Sequence, residues 1–198
     1  MKPTLILASS SPFRQQLLTK FNLPFQSFSP DIDESPIAAE TPEQLVARLS
    51  EQKARVAKQH FSEGLVIGSD QVAVFNDTIL GKPHTKENAI KQLSSFSGHI
   101  VTFLTGLSVF DIQSDKAITT VVPFDVTFKA LTLEQINAYC DAEQPYYCAG
   151  SFKSEGLGIC LFEKLSGDDP NTLIGLPLIT LTKVLAEFGV DVLTCHKT

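Results

Sequence analysis

An aliphatic run, Leu65-Val66-Ile67, passes through Gly68 and Ser69 directly into an acid, Asp70, followed by Gln71 and Val72. Three uncharged residues with β-branched members predict a buried strand. A carboxylate inside such a run costs several kcal/mol, of order 2–7, unless it is paired, hydrogen-bonded or bound to a metal. Placed where the strand runs out, beside small residues, Asp70 faces a cleft while its neighbours stay in the core. That geometry serves a general base or a metal ligand. The plain alternative is a loop Asp that hydrogen-bonds its own turn.

The surrounding chain predicts alternating strands and helices. Thr4 to Ala8 reads as a short strand that runs into Ser9-Ser10-Ser11-Pro12-Phe13-Arg14. Ser11 suits an N-cap and Pro12 the first helical position, where its missing N–H costs nothing. A strand, a serine-rich turn and a helix N-terminus bring free N–H groups, hydroxyls and the positive helix end together, which suits an anion. Arg14 can add a bidentate phosphate contact, or it can simply be solvated. The segment has neither Gly-x-Gly nor Gly-Lys-Ser, so it is no dinucleotide fingerprint and no P-loop.

Phe25 to Phe28 predicts a second strand. An acidic loop follows, with Asp31, Asp33 and Glu34 between Pro30 and Pro36. Three carboxylates are ordinarily a solvated turn, but they can also supply a hard oxygen ligand for Mg²⁺ or Mn²⁺. Thr41-Pro42-Glu43-Gln44 is a capping box that opens a helix to about His60. Lys53 lies near its buried face, where it either snorkels to water or touches phosphate. Asn76-Asp77 predicts a tight hairpin turn. In Gly81-Lys82-Pro83 the rigid neighbours hold Lys82 as a candidate phosphate ligand. Thr85 caps a helix through Leu93. His99 to Phe110 and Ile118 to Ala130 predict long antiparallel strands. Thr132 to Gln135 is a second capping box. The small-residue stretch from Cys148 to Gly158, carrying Glu155, predicts a loop that closes over a ligand or merely connects. Gly158 to Glu163 predicts a strand, and Gly175-Leu176-Pro177 opens a last helix that Gly189 ends. The order of elements predicts an α/β fold with a mixed sheet, in one domain over residues 1–198.

Bulk properties exclude whole classes. With 198 residues, 43% hydrophobic and 19% charged, the chain is that of a packed globular protein. A net charge of −6 weighs against nucleic acid and anionic membranes as partners. The apolar run at the N-terminus is too short for a signal segment or a membrane span, so the expectation is a cytoplasmic protein. The four cysteines, 140, 148, 160 and 195, form no Cys-x-x-Cys pair, so they are read as reduced, mostly packing thiols rather than a zinc site.

Taken together, Ser9-Ser10-Ser11-Pro12-Phe13-Arg14, Asp33-Glu34, Gly68-Ser69-Asp70-Gln71, Gly81-Lys82-Pro83, Thr105-Gly106, Ala149-Gly150-Ser151-Phe152 and Gly175-Leu176-Pro177-Leu178 appear in that order. The ordered set resembles the Maf family of nucleotide pyrophosphatases over almost the whole chain. The resemblance implies an elongated mixed β-sheet flanked by helices, with two lobes and a central cleft. It implies hydrolysis of a nucleoside triphosphate to its monophosphate and pyrophosphate, with a divalent cation, Mg²⁺ or Mn²⁺. Asp70 matches the family's proton acceptor. Ser9, Ser11, Arg14, Lys53 and Lys82 match its polar cleft residues, read here as phosphate-binding, and Glu34 its cleft carboxylate, read here as a metal ligand, with Asp70 as base, metal ligand or both. Gly68-Ser69-Asp70-Gln71 and the loop from Ser151 to Gly156 look like the branch acting on 7-methylguanosine triphosphate, whose specificity positions match Phe13, Gln71 and Glu155. Relatives in that branch often carry Trp where Phe13 stands. A homodimer is the family's habit. The competing readings are a non-catalytic nucleotide-binding regulator and a Maf pyrophosphatase that prefers dTTP or UTP.

Overall fold

The computed structural model describes residues 4–196. Its strands are β1 (Leu5–Ala8), β2 (Phe25–Phe28), β3 (Leu65–Phe75), β4 (Thr78–Leu80), β5 (Ile100–Asp111), β6 (Ala117–Phe128) and β7 (Phe162–Ser166). Its helices are α1 (Pro12–Thr19), α2 (Pro42–Arg55), α3 (Lys86–Phe96), α4 (Leu133–Glu143), α5 (Asn171–Ile174) and α6 (Leu178–Glu187). The strands form one sheet in the order β2-β1-β3-β5-β6-β7, with β4 paired to β3. β1 runs parallel to both β2 and β3, whereas β3–β4 and β6–β7 are antiparallel. The mixed α/β class follows from this pairing.

The helix starts obey local chemistry. Ser11, Thr41, Thr85 and Thr132 each accept a backbone N–H from the first turn that follows, and Thr41 and Thr132 complete reciprocal capping boxes with Gln44 and Gln135. Between β3 and β4, Asn76 and Asp77 both have positive φ, the two-residue turn that the Asn-Asp pair predicts.

Three boundaries differ from the sequence reading. β3 does not end at Asp70 but continues to Phe75, because Ala73, Val74 and Phe75 pair with β4. The segment from Gly158 is not yet a strand. Leu157–Leu161 coils as a 3₁₀ turn, and β7 starts only at Phe162, next to an irregularity in its pairing with β6. α2 also gives way to a 3₁₀ turn at Val56–Gln59, short of His60. Of the thiols, Cys140 is buried, Cys148 and Cys195 are half-buried and Cys160 is exposed.

The chain divides into two compact units. The first comprises the described residues up to Asp70, Thr105–Val122 and the residues from Asp169 onward; the second comprises Gln71–Leu104 and Pro123–Asp168. In the first unit, strand alternation sends side chains to two cores. Leu5, Leu7, Leu65, Ile67, Leu107 and Val109 face α1 and α6. Ile6, Ala8, Val66 and Phe110 face Ala54 of α2 and Ala57 of the 3₁₀ turn that follows it. The second unit has an aromatic core, in which Phe103, Phe128, Phe152 and Phe162 meet edge to face at 4.8–5.7 Å between centroids.

Candidate active site

Two glycines decide where the charged side chains of the first unit can meet. A Cβ on Gly68 would lie 2.1 Å from the Ser50 carbonyl oxygen, and one on Gly106 would lie 2.1 Å from the Val46 carbonyl oxygen. Helix α2 therefore lies directly on the backbones of β3 and β5. Its residues 46, 50 and 54 occupy that contact, and Lys53, next on the helix, reaches the acid of β3. The paired part of β1 and β3 ends at Ala8 and Gly68. Ser9 follows the carboxyl end of β1, and Asp70 lies two residues past the part of β3 that pairs with β1, close to where parallel strands of α/β proteins place their ligands.

Asp70 is 8% exposed and Lys53 6%. The Lys53 ammonium donates to Asp70 Oδ1 at 2.6 Å and lies 2.7 Å from Glu34 Oε1. One cation thus bridges two carboxylates. Lys53 does not snorkel to water; its near-complete burial is tolerable because both carboxylates satisfy it. Arg14 is the second cation. Its Nε donates to the Gly175 carbonyl at 2.9 Å, and its terminal nitrogens have no hydrogen-bond partner among the described residues. Burial lowers the Arg14 guanidinium from its ordinary range, while Asp70 and Glu34 act in the opposite direction. Two cations and two carboxylates leave the cluster neutral, so an incoming polyanion meets fixed positive charge whose existing partners it can displace.

The serines stand on the same strand-to-helix turn. Ser9 Oγ accepts from Ser11 N at 3.1 Å, and Ser11 Oγ caps Arg14 N at 3.4 Å. Ser69, beside the acid, lies 2.9 Å from the carbonyl oxygens of both Gly106 and Gly175 and donates to either. Gly175 has φ +113°, and its carbonyl serves both Ser69 and Arg14. The turn that presents it is held by buried Asp169, which accepts from the backbone N–H groups of Asn171 and Ile179. Gly175-Leu176-Pro177 reads from its residues as a helix start and, with Leu178, as one motif of the resemblance, and neither reading gives the Gly175 carbonyl a role. No side chain marks a carbonyl, so this part of the site had no signal to find.

Glu34 is also placed by a contact that the sequence leaves hidden. Arg48 on α2 grips Glu40 through Nε at 2.6 Å and a terminal nitrogen at 2.8 Å, and donates to the Ser35 carbonyl at 3.1 Å. This fork fastens the acidic loop to α2 one residue beyond Glu34. The Arg48 hydrogen bonds hold the Glu40 carboxyl down to about 2. Of the other loop acids, Asp33 only closes its own turn through Ser35 N at 2.9 Å.

Four further residues singled out from the sequence are Phe13, Gln71, Lys82 and Glu155. Phe13, next to Arg14, is 40% exposed. Gln71 directly follows Asp70 on β3 and is partly buried. Lys82 is exposed, but its neighbours are fixed: Gln92 donates to the Gly81 carbonyl at 2.9 Å and Asn88 to the Pro83 carbonyl at 3.0 Å. Glu155 is exposed, with Ser154 Oγ at 3.2 Å. The structure therefore gathers Glu34, Lys53, Asp70 and Arg14 into one cluster, with Ser9 and Ser11 on the turn before Arg14. Gln71, Lys82 and Glu155 belong to the second unit.

The donor chemistry suits a hard divalent cation. Mg²⁺ binds through one or two carboxylates plus substrate phosphates rather than in an all-protein cage. Among the described residues no group of three or more His, Cys, Asp or Glu side chains could hold an ion. Glu34 and Asp70 instead form a two-carboxylate pair already shaped around a positive charge. No helix among the described residues is long and apolar enough to cross a membrane.

Residues 4–188 match the profile of the family described as Maf-like protein. The chain belongs to the Maf family. Its Maf relatives include the 7-methyl-GTP pyrophosphatase of Pseudoalteromonas translucida (strain TAC 125), 73% identical over 99% of this chain and 97% of the relative. The proteins of the same name from Colwellia psychrerythraea and Vibrio vulnificus are each 55% identical over 96% of this chain, covering 95% and 97% of their own lengths. The Staphylococcus aureus Ham1 protein superposes with a TM-score of 0.52 over 94% of this Maf chain and 100% of its own, at 14% identity. That likeness concerns the fold alone and supports the mixed α/β architecture.

Proposed function

We propose that this Maf protein hydrolyses 7-methyl-GTP to 7-methyl-GMP and pyrophosphate. The relatives that carry this activity in their names support the substrate, since they match nearly the whole chain at 55–73% identity. The observation that carries the chemistry is the Lys53 ammonium held between Asp70 and Glu34. A triphosphate offers Lys53 and Arg14 stronger anionic partners and so releases the two carboxylates for work. Ser9, Ser11 and the N-terminus of α1 add hydroxyl and backbone donors to the phosphates, and Lys82 a further cation.

A water oxygen attacks the α-phosphorus, the bond from that phosphorus to the bridging oxygen breaks, and pyrophosphate departs. Asp70 accepts the proton lost by the water. Glu34 and Asp70 would hold Mg²⁺ or Mn²⁺, which supplies positive charge to the phosphate oxygens. Orientation of the polyanion by fixed cations accounts for much of the remaining barrier.

Base choice falls to three side chains. Methylation at N7 makes guanine cationic, and a cation over an aromatic face gains about 0.5–2 kcal/mol. Phe13 supplies such a face. The Glu155 carboxylate accepts from the N1 and N2 donors of guanine, a pair that a pyrimidine lacks. Gln71 meets a base carbonyl or steadies Glu155. Pyrophosphate release from 7-methyl-GTP, GTP, dTTP and UTP, with and without Mg²⁺ or Mn²⁺, tests the proposal. The expected result is metal-dependent release that is fastest from 7-methyl-GTP. Release fastest from UTP or dTTP would overturn the substrate, and no release from any nucleotide would overturn the enzyme.

A further inference from the structure

Among the described residues Glu155 has no hydrogen-bond partner beyond Ser154, yet the loop around it is held on both sides by one residue of α4. Glu143, the last residue of α4, accepts from Leu157 N through Oε1 at 2.8 Å. The backbone carbonyl of Glu143 accepts from Lys153 Nζ at 2.7 Å, and its Oε2 lies 3.6 Å from the same ammonium. Residues 153 and 157 flank Glu155 by two positions each. Tyr139, one turn earlier on α4, adds a third tie by accepting from Lys153 N at 3.0 Å.

The glycines of the loop fit the same arrangement. A Cβ on Gly156 would lie 2.8 Å from Glu143 Oε1, and one on Gly158 would lie 2.3 Å from the Lys153 carbonyl oxygen. Gly158 therefore has no room for a side chain against the Lys153 backbone, and a side chain at Gly156 would press on the end of the Glu143 carboxylate that holds Leu157 N. Sequence reading gives Glu143 no role, because it looks like an ordinary polar helix end.

We propose that Glu143 is a positioning residue for base selection: its carboxylate, with Lys153, fixes the backbone that presents Glu155. This rests on Glu155 reading the guanine edge, as proposed above. A side chain that must meet two donors at once loses discrimination when its backbone wanders by about 1 Å, a misplacement worth up to 10²-fold. Glu143 touches no reacting atom, so the loss falls on substrate choice and KM rather than on turnover.

The test compares kcat and KM for 7-methyl-GTP and UTP in five variants. Glu143→Ala is expected to lower the 7-methyl-GTP to UTP ratio of kcat/KM by about tenfold through KM, within the loss that a misplacement of about 1 Å brings. Its kcat stays within about twofold, since no transition-state contact is removed. Lys153→Met shifts the ratio the same way. Glu143→Gln retains the acceptor for Leu157 N and restores most of the ratio. In a Glu155→Ala background, Glu143→Ala adds no further loss, because both act through one contact. If Glu155→Ala lowers the ratio but Glu143→Ala and Lys153→Met leave it unchanged, the positioning role is wrong while the reading of Glu155 stands. If Glu155→Ala leaves the ratio unchanged, the base-reading role itself fails. A drop in kcat on both nucleotides alike, with the ratio preserved, would reduce Glu143 to a structural residue and overturn the proposal.

Discussion

Asp70 and Glu155 are both acids assigned to the same reaction, yet they sit in opposite physical settings. Asp70 lies within an eleven-residue strand, almost fully covered, with its charge met by Lys53 at 2.6 Å. Glu155 stands exposed on a loop that is fixed from below by Glu143. A charge held away from water must have its counter-charge built into the fold, so the Asp70 region needs Gly68, Gly106 and the close approach of α2. A charge that waits in water for a ligand needs only a steady backbone. Removing a side chain in the first region should therefore affect both stability and chemistry. In the second it should affect recognition alone.

The largest effect expected on this contrast is from Asp70→Asn. Turnover should fall by about 10³-fold, within the range for loss of a positioned base, while the protein still melts cooperatively. Near-normal turnover would remove Asp70 from the reaction and erase the distinction between the two regions. Next comes Lys53→Met, which leaves Asp70 buried without its partner. Urea unfolding should show a loss of about 3 kcal/mol, as when a buried pair is broken on one side. Glu155→Ala, at an exposed position, should stay within about 0.5 kcal/mol of wild type in the same experiment. Equal losses in the two variants would show that burial does not separate the regions.

The smallest effect concerns the Glu34 loop, which shares the first unit but is exposed. Arg48 lowers the Glu40 carboxyl from an ordinary 4.5 to about 2. A folded-state pKa below the unfolded one gives stability that is present above the unfolded value and is lost as pH falls through the folded value. Glu40→Gln should therefore melt slightly lower than wild type above pH 4.5, and the gap should close as pH drops toward about 2. A gap that widens on acidification would mean that the fork does not hold Glu40 ionised.

Elements whose cause is local were legible in the sequence. The caps at Ser11, Thr41, Thr85 and Thr132 and the Asn76-Asp77 turn depend on neighbours within a few positions, and each forms as read. What failed depends on contacts outside the run being read. β3 runs past Asp70 because β4 comes back to pair with it, which no property of Asp70 announces. Ile159-Cys160-Leu161 reads as a strand by composition, but the turn that Gly158 makes against Lys153 delays β7 to Phe162. The short helix α5, which the sequence reading does not anticipate, opens where Asp169 accepts from Asn171 N. At the site, side chains with evident chemistry were found, whereas the Gly175 carbonyl, the Arg48–Glu40 fork and Glu143 act through geometry that spacing does not encode.

The central claim, that the Asp70 cluster directs water to the α-phosphorus of a triphosphate, is tested most directly by hydrolysing 7-methyl-GTP in ¹⁸O-labelled water. Mass spectrometry of the products should find one labelled oxygen in 7-methyl-GMP and none in pyrophosphate. Label in the pyrophosphate, or release of orthophosphate in its place, would contradict the account.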